Sequence, residues 1–343
     1  MTLAHPKKNR GHFLFPLLAF CLLLAACDPG GSPTTSIYKG ATVFGESGRQ
    51  PGQFSRPRAV CFTKSGLIAV VDRTGRLQLF KKENWEFVRQ WRFPKYDTGT
   101  PTAITADPID DTLWVADTHN SRIIHYQQDG TMIKMFGKAG EGPGQMIFPT
   151  DAVADPDGKT LWVCEYGRRN RIIKMDREGV FEKEWGSEVF DSADLGRPMA
   201  ICLSRDAKLL FVIDAGNNRV VVYDRDGNEV RRFGKEGNGP GDMIYPLDMT
   251  MAADGSLYVI EYGNSRVSRF SQTGEFLGAW GEPGFAPGQL YSPWGCAISS
   301  DDELVLADTN NNRIQYLKNP SRYFRADIAP STFRAPVLES PLQ

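Results

Sequence analysis

Histidine is scarce in this 343-residue chain. There are four, and only His119 and His125 lie beyond residue 26. Two imidazoles from one short stretch cannot build a multi-histidine zinc site drawn from several parts of a fold. Cationic excess is also missing: 40 Lys and Arg stand against 41 Asp and Glu, with no basic stripe. That balance argues against nucleic acid as a partner. Long apolar runs are absent. The longest, Phe13–Leu24, has twelve residues, too few for a membrane-spanning helix. Cysteine is sparse and unpaired in pattern. Cys61, Cys164, Cys202 and Cys296 sit inside apolar runs such as Ala59-Val-Cys-Phe62 and Ala200-Ile-Cys-Leu203. Such runs mark free thiols acting as small core residues, not a disulfide framework.

The amino terminus reads as an export signal over residues 1–26. Lys7, Lys8 and Arg10 precede the apolar run, and small residues follow it. Leu24-Ala-Ala-Cys27 resembles the lipobox of bacterial lipoproteins. The resemblance implies cleavage before Cys27, lipidation of its thiol and anchoring to a membrane of the bacterial cell envelope, facing the periplasm. Asp28 resembles the inner-membrane retention signal of enteric lipoproteins. The plainer alternative is ordinary cleavage beside an incidental Cys. A Pro/Gly/Ser-rich tether over 27–39 follows. Removing residues 1–26 takes away three cations and leaves 317 residues with a formal charge of −4.

What is present is repetition. Leu257-Tyr-Val-Ile-Glu-Tyr-Gly-Asn-Ser-Arg-Val-Ser-Arg-Phe270 reads as strand, polar turn, strand, and it has five counterparts. The acidic residue closing the first strand is Asp72, Asp117, Glu165, Asp214, Glu261 and Asp308, in steps of 45, 48, 49, 47 and 47 residues. An Arg opens the second strand each time: Arg76, Arg122, Arg171, Arg219, Arg266, Arg313. Four short strands per 40–50-residue period predict a β-propeller.

Each period opens on a Pro (57, 101, 149, 198, 246, 293), where strand A starts. Strand A is made of small residues, strand B is apolar throughout, strand C starts at the Arg, and strand D ends in Phe-Gly or Trp-Gly. The sixth period lacks a strand D, whereas Ala41-Thr-Val-Phe-Gly45 is a strand D with no blade before it. Ring closure is the economical solution. The expected fold is therefore all-β: a six-bladed propeller of four-stranded antiparallel blades over 40–318, closed by an N-terminal strand, with a Pro-rich tail over 319–343 and a monomeric state.

Val115-Ala-Asp-Thr-His-Asn-Ser-Arg-Ile123 and Val305-Leu-Ala-Asp-Thr-Asn-Asn-Asn-Arg-Ile314 carry a further likeness. With the Pro, the Asp-Gly turns and the Phe-Gly ending, they resemble the NHL-repeat family of propellers. The resemblance covers about four-fifths of the chain, and blade one, with Asp72-Arg-Thr-Gly-Arg76, departs most. It implies no single function, since the family includes protein- and RNA-binding modules, sensor domains and a metal-dependent lyase, and related propellers are calcium-dependent lactonases. The histidine-rich lyase site has no counterpart here.

The sixfold carboxylate–Arg pair is read as architecture. Function is sought where blades differ. Two positions after the Pro, only blades three and five carry acids, Asp151 and Asp248. The same two blades carry Glu165-Tyr166-Gly and Glu261-Tyr262-Gly in the B–C turn, and long incoming loops, Gly142–Pro149 and Gly239–Pro246. The predicted site is a channel mouth on the B–C turn face lined by Asp151, Glu165, Tyr166, Asp248, Glu261 and Tyr262. Arg58, Arg73, Arg168, Arg169 and Trp294 form its rim. Oxygen-rich, histidine-poor ligands suit Ca²⁺, with Asp151, Glu165, Asp248 and Glu261 as its donors. No catalytic residue is evident, and His119 reads as a turn residue facing water. The expected function is a lipid-anchored envelope binding or scaffold module holding a protein, peptide or small ligand. The alternative is a metal-dependent hydrolase or lyase at the same mouth.

Overall fold

The computed structural model describes residues 40–95, 99–187 and 194–327. Residues 1–39, where the export signal and tether are expected, and the tail beyond 327 lie outside the described residues. Six four-stranded antiparallel sheets make up the fold. Their A strands are Pro57–Phe62, Ala103–Ala106, Phe148–Ala154, Pro198–Leu203, Pro246–Met251 and Cys296–Ile298. The B strands are Leu67–Asp72, Leu113–Asp117, Thr160–Tyr166, Leu209–Asp214, Leu257–Glu261 and Glu303–Asp308. The C strands start at the repeated Arg except in blade three, where Asn170 precedes it.

Ala41–Phe44 is the missing strand D. It pairs antiparallel with Arg313–Lys318, Ala41 opposite Leu317 and Phe44 opposite Ile314. The first and last blades thereby cover each other's edges, which otherwise present unpaired N–H and C=O groups. Strand B is buried along nearly its whole length in every blade, because a sheet stands on either side of it.

The repeated carboxylate and Arg are one structural device. They pair at 2.6–3.0 Å in all six blades, nearly or fully buried. Each Arg also donates to carbonyls of the loop leading into its blade. Arg76 reaches Gln53 at 2.6 Å, Arg171 reaches Gln145 at 2.9 Å, Arg266 reaches Asp242 at 2.7 Å and Arg313 reaches Gln289 at 2.9 Å. Arg219 does the same to Asp194, and Arg122 to Pro94. Five donors in a fixed fork let one side chain bind a carboxylate and a loop together.

The incoming loops of blades three and five are not special to them. Blades one and six carry the same loop, with Pro51-Gly-Gln-Phe54 and Pro287-Gly-Gln-Leu290 in place of Pro143-Gly-Gln-Met146 and Pro240-Gly-Asp-Met243. Gly52, Gly144, Gly241 and Gly288 all have φ between 71° and 80°, the left-handed backbone that a Pro-Gly turn requires. The following Phe54, Met146, Met243 or Leu290 is fully buried and pins the loop.

The four cysteines are free. Burial pushes every one of their thiols upward, Cys202 to about 12, so they are inert as nucleophiles. The start of the tail docks on blade five: Arg325 exchanges backbone hydrogen bonds with Ala279, and Phe324 meets the Tyr258 ring edge-on at 5.0 Å.

Candidate functional site

The eleven residues predicted for one mouth and its rim fall into three groups. Glu165 and Glu261 are the carboxylates of the structural pairs. Glu165 accepts from Arg171 at 2.6 Å and from the Ile147 N–H at 2.8 Å. Glu261 accepts from Arg266 at 2.9 Å, from Ser268 and from Asn264. Both are fully buried. Glu replaces Asp here without changing the role.

Asp151 and Asp248 lie inside the channel. In both blades a bulge follows the Pro, and it turns the next side chain toward the axis. Each carboxylate then ties two blades together. Asp151 accepts from its neighbour Ala152 at 2.8 Å and from Ile201 of blade four at 2.9 Å. Asp248 accepts from Met249 at 2.8 Å and from Cys296 of blade six at 2.9 Å. They border a cavity of about 230 Å³ lined by the A strands of all six blades. Its lining runs from Asp151 and Asp248 to Phe62, Ala106, Leu203, Thr250 and Ile298 at the A–B turn end of the strands.

Ca²⁺ takes six to eight oxygens. This channel offers two carboxylates whose oxygens already accept backbone N–H groups, a set short of a calcium cage. Among the described residues, the group of three ligand side chains close enough to share an ion is Asp107, Asp110 and His125. Arg177 fills that place, pairing with both aspartates, while Trp114 donates to Asp107 at 2.8 Å. His125 stacks on Trp114 with ring centroids 3.7 Å apart.

Burial raises Asp151 to about 7, and it raises Asp248 further because Asp151 stands near. The sign of the consequence follows. Below pH 4 folded and unfolded chains both hold the Asp151 proton. Between about 4 and 7 the unfolded chain releases it and the folded chain keeps it, so stability falls as pH rises, and it flattens above 7. The urea midpoint of Asp151→Asn is therefore expected to fall less between pH 5 and pH 8 than that of the wild type. Parallel midpoints would contradict the raised value.

The third group is the true B–C mouth. Tyr262 meets Trp294 edge-on at 6.2 Å, and the Arg58 guanidinium lies 4.6 Å from the Trp294 ring centroid. Arg58 donates to Thr100 of blade two at 3.3 Å. Beside Thr100, Gly99 packs against His119, whose ring meets Phe148 at 6.1 Å. Phe148 stacks on Tyr166 at 5.3 Å, and Arg197 covers Tyr166 at 4.6 Å. Tyr166, Tyr245 and Trp294 pack on the apolar cluster containing Met199, Leu247 and Tyr262. Residues from every blade thus contribute to an aromatic and arginine necklace. Arg73 and Arg168 are exposed outside it, Arg168 3.5 Å from Glu141, and Arg169 pairs with Glu184 at 2.7 Å.

Two members were missed in the sequence. His119 is half-buried against Gly99 and Phe148, not a turn residue in water, because the neighbouring blade's loop covers it. Burial, and then Arg58, hold its imidazole below the usual range. Arg197 stands just before the Pro, outside the strand positions in which blades three and five differ from the rest. The residues before it (Arg56, Thr100, Phe148, Arg197, Tyr245, Ser292) vary as widely between blades and were the available signal.

Comparison with known proteins agrees with this architecture. Residues 142–290 match the SMP-30/Gluconolactonase/LRE-like region, and residues 290–316 match the NHL repeat. The chain is similar to NHL repeat-containing protein 3 of Mus musculus, 24% identical over 177 residues, which is 48% of this chain and 50% of that protein. It is also similar to Protein brain tumor of Drosophila melanogaster, 23% identical over 134 residues, 39% of this chain and 12% of that one. The chain thus spans half or less of these relatives. Among solved structures it resembles a streptogramin B lyase, with a TM-score of 0.59, 13% identity, and coverage of 83% and 99% of the two chains. A nidogen/laminin complex follows at TM-score 0.55, 17% identity, and coverage of 70% and 84%. Those identities speak for the fold alone. With its six Pro-led blades, its sixfold carboxylate–Arg pairs and these matches, the chain is an NHL-repeat β-propeller.

Proposed function

We propose that this propeller is a binding module, held in a bacterial envelope by a lipid on Cys27, that takes a protein, peptide or small ligand at its B–C mouth. The observation that carries the reading is the necklace of Arg58, Tyr166, Arg197, Tyr262 and Trp294. Aromatic and Arg side chains are the residues that dominate binding energy at protein interfaces. The A strands beneath supply rigidity, so the mouth is preorganised and loses little entropy on binding. NHL propellers commonly bind proteins, which agrees with a protein partner. The test is crosslinking in the envelope with a photoreactive residue at Arg168, beside the mouth. Tyr166→Ala/Tyr262→Ala/Trp294→Ala is expected to lose the crosslinked species of the wild type. Persistence of the same species would move binding elsewhere. Palmitate labelling that disappears in Cys27→Ala tests the anchor.

The match to the gluconolactonase-like region favours a second reading, a metal-dependent hydrolase or lyase. It draws on Asp151, Glu165, Asp248 and Glu261, and calcium would have to displace the hydrogen bonds they now accept. Calorimetry with Ca²⁺ on the wild type and on Asp151→Ala/Asp248→Ala decides it. Micromolar binding lost in the variant would favour the enzyme reading, and no binding would remove it.

A further inference from the structure

The mouth is built for negative charge. Its centre holds the guanidinium groups of Arg58 and Arg197 beside the imidazole of His119, and neither guanidinium has a carboxylate within ion-pair distance among the described residues. The carboxylates at the ends of the B strands, on the same face, are all taken by their own Arg. Three nitrogens, Arg58 Nε, Arg197 Nε and His119 Nδ1, are buried without a partner. A buried polar atom without a partner is unfavourable, and these three are gathered in one necklace. Arg197 adds strain: its φ is +98°, outside the ordinary regions for a residue with a side chain, and Pro198 follows it. Burial and the nearby Arg73 lower the Arg58 guanidinium to about 10, the sign of a cation short of partners.

We propose that the mouth recognises an acidic peptide segment, its carboxylate received between Arg58 and Arg197 and its flanking residues laid on Tyr166, Tyr262 and Trp294. This rests on the binding-module reading and names its ligand. A planar carboxylate matches the guanidinium fork, and both forks already lie over aromatic rings, 4.6 Å from the ring centroids. A peptide fits better than a nucleic acid. Two guanidinium groups set over aromatic rings do not make a basic track for a nucleic-acid backbone, and the whole chain carries a formal charge of −1.

The test uses the full-length chain in detergent and a random dodecapeptide display library. Enriched peptides are expected to carry Asp or Glu at a fixed position. A synthetic copy should lose about tenfold or more in affinity when that acid becomes its amide, and as much in Arg58→Gln or Arg197→Gln. Arg58→Lys keeps the charge but not the fork, and should recover only part. Melting curves of the variants separate lost binding from lost folding. Selected peptides without an acid, bound through the aromatic residues, would overturn this inference and leave the binding module standing. Competition by millimolar inorganic phosphate as strong as by the peptide would make the site a simple oxyanion site and also overturn it. Tighter binding of labelled U12 RNA than of any peptide would do the same. No enrichment at all, with wild-type crosslinks persisting in the triple aromatic variant, would remove both readings.

Discussion

Replacing Asp308 by Ala is expected to cost about 3–5 kcal/mol of stability, the penalty for leaving one member of a buried pair without the other. Asp308 accepts from Arg313 at 2.7 Å, from the Tyr291 N–H at 2.8 Å, from Asn311 at 2.9 Å and from Gln315 at 2.8 Å. Without it the Arg313 charge stays buried, still bound to the carbonyls of Phe285, Ala286 and Gln289. The loss is therefore greater than one ion pair. The loop into blade six, the B–C turn and strand C all lose their common centre. Asp308→Asn keeps acceptor capacity and should cost less. Urea unfolding followed by tryptophan fluorescence measures both. A cost below about 1 kcal/mol for Asp308→Ala would mean that the pair is not the organising element of its blade.

The second large effect is at the ring closure. Phe44, on the strand that completes blade six, lies 4.7 Å from Trp85, 5.0 Å from Phe80 and 5.9 Å from Phe54 between ring centroids. These partners belong to blade one and its incoming loop, so one side chain locks the seam between first and last blades. Phe44→Ala should cost about 3–5 kcal/mol, the usual range for a buried Phe. The closing strand is then held chiefly by its ladder to Arg313–Lys318. If it detaches, an unpaired edge is exposed and the protein should associate on warming. Thermal unfolding with light scattering reads both effects. A variant that melts with the wild type and stays monodisperse would show that the ring is closed by something other than this strand.

The architecture is legible in the sequence because every blade repeats it. Asp308 and Arg313 recur in six copies, so their spacing alone told of a pair. Ala41–Phe44 was identified as a strand D lacking a blade, and the sixth blade as lacking a strand D. The site was harder. Asp151 and Tyr166 belong to one blade and share one sequence neighbourhood, yet the bulge after Pro149 sends Asp151 into the channel while Tyr166 stays on the B–C face. A single bulged residue decides that direction, and no pattern in the sequence announces it. The likeness between blades three and five was also overstated, because the Pro-Gly loop recurs in blades one and six with Phe or Leu in place of Met.

The amino-acid sequence by itself therefore determined the blades, their number, their closure and the inert thiols, all consequences of short-range periodicity repeated many times. Only the tertiary structure decided the mouth. Arg58, His119, Tyr166, Arg197, Tyr262 and Trp294 come from positions up to 236 residues apart, one from each of the six blades. They meet because the ring brings six blade ends to one point. Which cations there lack a counter-charge depends on which carboxylates the structural arginines have already claimed, and that is settled by distance in the folded molecule rather than by order along the chain.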